Sequence, residues 1–183
     1  IRVVCPVGMP ADMEFGPDGN LYICSWNPGS LEIVDGITGA PVASIAMPPG
    51  ALPNDVAFHP VTNDIHVTAM NTNMGYRYDF VTHMMNGNFV GTMWARPHGL
   101  AFSPDGRTLL WADTKGHRVQ AFDLDGSDGS LSRQRLFVQF PPRDPVAPIA
   151  SYGGRPDGAA MDSEGAYWVA MFEGQRLLRL APD

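Results

Sequence analysis

The sequence predicts an all-β protein, a β-propeller of four-stranded blades, and three observations carry that prediction. Glycine and proline are abundant, at 20 and 17 of 183 residues, while 44% of the chain is hydrophobic. A core is therefore available between closely spaced turns. No window shows a 3.6-residue apolar period, and a helical bundle tolerates neither surplus residue well. The third observation is a repeat. Ten-residue segments beginning at Pro10, Pro53, Pro97 and Pro156 align without gaps, at spacings of 43, 44 and 59 residues. A unit of about 40–45 residues with four short strands is the period of a propeller blade.

Each element follows from local chemistry. The first strand of every unit starts at the repeat proline and ends at Phe15, Phe58, Phe102 or Met161. A tight turn follows at Asp18-Gly19, Asp105-Gly106 and Glu164-Gly165, where glycine accepts a positive φ; Val61-Thr62 stands in for it in the second unit. The second strands are the β-prone runs Leu21–Cys24, Ile65–Thr68, Leu109–Ala112 and Tyr167–Ala170. Third strands are read at Arg118–Phe122 and Arg176–Leu180, and fourth strands at Pro41–Ile45 and Arg135–Gln139. The stretch from Phe140 to Gly154, too rich in proline for a central strand, lengthens the last spacing and reads as a lid or rim loop. Asp123–Gly129 has the acidity of a calcium loop. Asp128 occupies the position where an EF-hand needs glycine, however, and Gln134 replaces the closing glutamate, so a hairpin turn is expected. Asn71–Tyr78 reads as a loop beside the pocket, from which Tyr76, Arg77 and Tyr78 could reach a substrate. The ten methionines read as adaptable core filler.

Composition excludes several functions. The formal net charge is −7, Lys115 is the only lysine, and the arginines are scattered singly. Without a basic stripe there is no footprint for a nucleic acid. No apolar run approaches the ~18 residues of a membrane helix, so a soluble chain is expected, cytoplasmic rather than secreted. Cys5 and Cys24 allow at most one disulfide and form no metal-binding spacing. There is no Gly-x-Ser-x-Gly elbow and no phosphate-binding glycine loop.

The candidate site comes from the repeat itself. First strands line a propeller's central channel, so the residue after each repeat proline can converge with its equivalents. Those residues are Ala11, Asn54, His98 and Asp157. An oxygen-rich set with one carboxylate suits a hard cation such as calcium, and the imidazole of His98 admits zinc or manganese. Asp and Asn after a proline also serve simply to begin a turn. His98 has three readings: metal ligand, general base with an ordinary pKa near neutrality, or hydrogen-bonding residue of the channel wall.

The run Arg96-Pro-His-Gly-Leu-Ala-Phe-Ser-Pro-Asp-Gly106, continuing to Asp113, resembles the senescence-marker-protein/gluconolactonase family, also called regucalcin-like. So do Val119–Gly126 with Gly129–Leu131, and Gly154-Arg-Pro-Asp-Gly-Ala-Ala-Met-Asp162 continuing to Ala170 and through Arg176–Pro182. The likeness is strongest in the second half of the chain. In the first half its best point is Asn54-Asp55, a pair also similar to one in the paraoxonase-like lactonases. The resemblance implies a six-bladed propeller with a divalent cation, usually calcium, in a central pocket, where it polarises a lactone or ester carbonyl and helps activate water. It places the family's aspartate ligand at Asp157, its asparagine ligand at His98 and its substrate-side asparagine at Asn54, beside Asp55.

Two departures follow. The family's glutamate ligand has no match, and the arginine that grips sugar acids is replaced by Leu52. A neutral or more apolar lactone is thereby favoured over an anionic one, and calcium affinity falls with ligand charge. The expected function is metal-dependent hydrolysis of lactones or related esters. The alternative is a non-catalytic propeller used for protein interaction or assembly. Four blades of a six-bladed architecture also imply a truncated chain or one completed by self-association, with Ile1–Val4 as the end of a preceding blade.

Overall fold

The computed structural model describes residues 5–72, 74–90 and 97–182. The expectation for Ile1–Val4 lies outside them. The first sheet holds β1 (Pro10–Phe15), β2 (Leu21–Ser25), β3 (Ser30–Val34) and β4 (Pro41–Ala46). The second holds β5 (Pro53–Phe58), β6 (Ile65–Ala69), β7 (Met74–Tyr78) and β8 (Met85–Val90). The third holds β9 (Pro97–Phe102), β10 (Thr108–Asp113), β11 (Arg118–Leu124) and β12 (Leu131–Gln139). The fourth holds three strands, β13 (Arg155–Met161), β14 (Tyr167–Phe172) and β15 (Arg176–Leu180). Within each sheet the strands are antiparallel and adjacent in chain order. These are the four blades of a β-propeller.

The first strands β1, β5, β9 and β13 pack in series, each against the next, and no comparable packing joins β13 back to β1 among the described residues. Three apolar clusters fill the spaces between successive blades. Tyr22, Leu31 and Ile33 meet Val56, Ile65 and Val67 between blades 1 and 2. Ala57 meets Leu100, Leu109 and Trp111 between blades 2 and 3. Leu110, Val119 and Ala121 meet Tyr167, Val169 and Met171 between blades 3 and 4. The Tyr22 and Phe58 rings stack edge to face with centroids 4.9 Å apart, a geometry that aligns ring edge and π face.

The expected turns form. Gly19, Gly106 and Gly165 take φ of 79°, 70° and 83°, and in blade 2 Asn63 takes the left-handed role at 63°. Asp125–Ser130 is a hairpin turn closed by the Gly129 amide on the Asp125 carbonyl. The proline-rich segment after Phe140 carries no strand and ends in a single 3-10 turn at Ile149–Ser151.

Two expectations need correction. Within the segment read as a loop, Met74–Tyr78 is strand β7, paired with β6 from Ile65↔Tyr78 to Ala69↔Met74. Its alternation puts Tyr76 and Tyr78 into the core between blades 1 and 2. The methionines are only partly core: Met47 and Met171 are buried, whereas Met9, Met13, Met84 and Met85 are exposed. Cys5 and Cys24 are free thiols.

Candidate functional site

Every first strand has the same irregularity. Its pairing with the second strand slips just after the repeat proline, between Pro10 and Met13, between Pro53 and Asp55, between His98 and Ala101, and between Pro156 and Ala159. Such a bulge re-aims the side chains beside it. Here it turns the residue after the proline toward its equivalents in the neighbouring blades. Gly99 allows the tightest approach. It has φ of +55°, and a Cβ there would stand 2.3 Å from the Asp157 carbonyl oxygen and 2.7 Å from the Tyr167 hydroxyl.

The structure brings three of the predicted residues together. Asn54 Nδ2 lies 2.7 Å from His98 Nδ1, and that same Nδ1 lies 2.8 Å from Asp157 Oδ1. Asn54 is buried, and its amide also donates to the Pro97 carbonyl at 3.2 Å. Ala11, the equivalent in blade 1, brings no functional group. The shared nitrogen is the telling feature. A hydrogen bond from the Asn54 amide needs a lone pair on Nδ1, whereas an ion pair with Asp157 needs a proton there. One nitrogen cannot satisfy both at once. Asp157 Oδ1 is shielded from solvent and has no hydrogen-bond donor directed at it. Electron-rich atoms this close call for a proton or a cation between them.

Asp55 does something different from what its motif suggested. It is almost fully buried, and both oxygens accept from the next blade: Oδ2 from the Gly99 amide at 2.8 Å and Oδ1 from Leu100 at 3.3 Å. Asp12, one repeat earlier, accepts from the Val56 amide at 3.1 Å. These carboxylates clamp one blade to the next. Burial raises the pKa of both, with Asp12 adding to the effect on Asp55. On the far side of β9, the Tyr167 hydroxyl donates to the Gly99 carbonyl.

Tyr76 and Arg77 are not part of this cluster. Both lie on β7, two strands out from β5. The Tyr76 hydroxyl contacts Thr72 and the Met74 sulfur, and Arg77 donates to Asn86 at 3.0 Å.

Residues missed in the sequence lie deeper in the channel. A cavity of about 390 Å³ is bounded by all four first strands, with Asp12, Glu14, Val56, Phe58, Leu100 and Phe102 in its wall and no Lys or Arg among the described residues that line it. Burial, with Asp12 nearby, pushes the Glu14 carboxyl up to about 7. The signal for Asp12 was present, since Pro10-Ala11-Asp12 aligns with Pro53-Asn54-Asp55.

A divalent cation is testable against this donor set. Among the described residues, no three His, Cys, Asp or Glu side chains gather at metal-binding distance. His98 Nδ1 and Asp157 Oδ1 are two candidate donor atoms for such an ion, while Asn54 turns its amide N–H toward the ring nitrogen.

Comparison with known proteins agrees with the fold and the motifs. The family described as the SMP-30/Gluconolactonase/LRE-like region matches residues 76–183. Over 86 residues, 47% of this chain, the sequence is 44% identical to a 6-deoxy-6-sulfogluconolactonase of Pseudomonas putida. It is 36% identical to a regucalcin of Danio rerio over the same length. Each match spans 26% of the relative. A gluconolactonase structure from Xanthomonas campestris superposes with a TM-score of 0.68 at 20% identity, covering 94% of this chain and 62% of that one. At that identity the superposition speaks for the fold alone.

Proposed function

Since the chain belongs to the SMP-30/gluconolactonase/LRE-like family, we propose that it hydrolyses lactones or related esters at the Asn54–His98–Asp157 cluster with the help of a divalent cation. The observation that supports this most is the shared Nδ1 of His98, set within 2.8 Å of both an amide and a buried, undonated carboxylate oxygen. A cation bound there would supply Lewis acidity toward the substrate carbonyl and the attacking water. The protein's own groups handle position and protons. Asn54, anchored on the Pro97 carbonyl, orients the polar edge of the substrate. The oxygen of Asp157 turned away from His98 takes the proton that water loses as the water oxygen bonds to the carbonyl carbon. The ring C–O bond then breaks, and the proton returns to the leaving oxygen, so lactone and water give the open hydroxy acid. Asp157 gives the cluster a carboxylate, and Leu52 offers no cation for an anionic substrate. Neutral lactones are therefore the substrate class proposed.

The experiment is pH-stat hydrolysis of simple γ- and δ-lactones, with and without chelator. Activity is expected to vanish with chelator and return with added divalent cation. The Asp157→Asn variant should lose at least about 100-fold in kcat/KM. Hydrolysis that is indifferent to both chelator and Asp157→Asn would overturn the proposal.

One observation favours a second reading, as an assembly module. Blade 4 turns Trp168 and Phe172 of β14 and Leu177 of β15 outward, and blade 1 exposes Met13 and Phe15. These are the two unmatched halves of an interface that otherwise repeats from blade to blade. A second copy of this chain, set head to tail, would cover both.

A further inference from the structure

We infer that Tyr167 and Asp55 are positioning residues for His98, gripping Gly99 from the two flanking blades and so aiming the imidazole at Asn54 and Asp157. The catalytic consequence rests on the hydrolase reading above; the placement of the ring does not.

The bulge in β9 creates the need. Leu110 pairs with Ala101 and Ala112 with His98, so Gly99 and Leu100 together stand opposite Trp111. Two residues facing one cannot both keep a regular ladder, and their backbone groups need other partners. Side chains from the neighbouring blades supply them. Asp55 of blade 2 accepts from the Gly99 amide at 2.8 Å and from the Leu100 amide at 3.3 Å. From blade 4, the Tyr167 hydroxyl donates to the Gly99 carbonyl. Gly99 is thus held at both its N–H and its C=O. That N–H belongs to the planar His98–Gly99 peptide, the platform from which the His98 side chain springs.

Comparison among the blades separates this role from cohesion alone. Val56 and Leu100 both stand three residues after a repeat proline, and each donates to a carboxylate of the preceding blade, Asp12 or Asp55. The shorter bond, from Gly99 to Asp55, has no counterpart at Asp12 among the described residues. Tyr167 is likewise exceptional. The residue paired with the last position of the first strand is Leu21, Ile65 or Leu109 in blades 1 to 3, and Tyr167 in blade 4. Leucine or isoleucine suffices for packing there. The one hydroxyl at this position, on a side chain with no solvent exposure, is directed at the residue beside His98.

The ring needs such placement. Its Nδ1 lies within 2.8 Å of both Asn54 Nδ2 and Asp157 Oδ1. Gly99 is packed so closely that a Cβ would stand 2.3 Å from the Asp157 carbonyl oxygen. A turn of the Gly99 peptide would carry His98 away from both partners and let the Asp157 carboxylate rotate. Misplacing a reacting group by about 1 Å can cost about 100-fold in rate.

Tyr167→Phe tests this, because it keeps the ring in the core and deletes only the hydroxyl. Nitrogen-15 spectra of the imidazoles read the surroundings of His98, with His59, His66, His83 and His117 as internal references. The His98 signals should move toward those of a solvated, tautomerically averaged ring while the other four stay in place. On a simple lactone, kcat should fall about 10- to 100-fold with KM changed less than about twofold. Lost packing alone would lower the melting temperature and leave the His98 signals and kcat as they were. If Tyr167→Phe does not fold, Asp55→Asn takes its place, since its amide keeps one acceptor oxygen and loses the other. Unmoved His98 signals in a folded variant would overturn the inference and leave the hydrolase standing. Moved signals with unchanged kcat would overturn the positioning role in catalysis. Moved signals in a chain whose parent hydrolyses no lactone would uphold the ring placement and remove the hydrolase reading. Should neither variant fold, the two bonds serve cohesion alone and the inference falls.

Discussion

Blades 3 and 4 carry similar second strands in different surroundings. In blade 3, Leu109, Leu110, Trp111 and Ala112 are all buried. In blade 4 the run Tyr167–Phe172 alternates strictly, with Tyr167, Val169 and Met171 inside and Trp168, Ala170 and Phe172 outside. Both sequences are nearly continuous apolar runs, the composition of a strand covered on both faces. Among the described residues, blade 3 has a neighbour on each side, and blade 4 has one. Burial in a propeller is thus conferred by neighbouring blades on a strand already composed for it, and the outer face of blade 4 has the chemistry of an interface. Two cation–π contacts sit on that face, Arg155 over Phe172 at 5.0 Å and Arg179 over Trp168 at 5.8 Å. They cover part of its aromatic surface with charge.

The largest expected effect tests this contrast directly. Leu109→Ala removes a side chain with no solvent exposure from between blades 2 and 3 and should cost about 2–5 kcal/mol in urea unfolding. Leu177→Ala, at 59% exposure on blade 4, should cost less than about 0.5 kcal/mol in dilute solution. If its cost instead rises with protein concentration, a second copy covers that face, and sedimentation should show the matching dimer. A monomer at every concentration, with Leu177→Ala neutral throughout, ends the assembly reading.

How the contrast was hidden in the sequence is instructive. The repeat proline located the starts of β1, β5 and β9 to the residue, and that of β13 to within one. A proline opening a strand is a covalent signal that needs no neighbour. Strand β7 was missed because Gly75 and Arg77 on one of its faces masked the tyrosines on the other, and only packing against blade 1 makes it a core strand. The convergence of Asn54, His98 and Asp157 was legible because all three share one repeat position. Asp12 and the clamping role of Asp55 were not. They stand one residue further on, and only the bulge shows that this position reaches the next blade's backbone. Similarity of motif placed Asp55 near a substrate, while hydrogen bonding placed it between blades.

An intermediate effect separates the blade junctions. Asp55→Ala leaves two backbone N–H groups of β9 without their acceptor, and Asp12→Ala leaves one of β5. Relief of carboxylate burial offsets part of each loss. The expected destabilisations are about 2 kcal/mol and about 1 kcal/mol, measured by thermal unfolding at neutral pH. Equal costs would mean that the junction between blades 1 and 2 is as dependent on its clamp as the one between blades 2 and 3. The contrast between inner and end blades would then be confined to their outer faces.

The smallest effect, because solvent screens a carboxyl on an exposed residue, asks whether blade 1 is as open toward the channel as it is on its outer side. Glu14 is itself exposed on β1, yet its carboxyl faces the cavity, where partial desolvation and then Asp12 raise it to about 7. An unfolded glutamate titrates near its ordinary value of 4.5, so the folded state holds this proton more tightly than the unfolded state does. Below that value both states are protonated and the carboxyl carries no penalty. As pH rises toward 7 the unfolded state ionises first, and stability is lost through that window. Asp12 and Asp55 act in the same direction, so the informative quantity is the difference between the parent and Glu14→Gln. That difference should be near zero at pH 4 and grow in favour of the variant up to about pH 7, remaining constant above it. Melting temperatures at half-unit steps of pH measure it. A difference that does not vary with pH would show Glu14 titrating as if in water, and the channel side of blade 1 would be as open as its outer face.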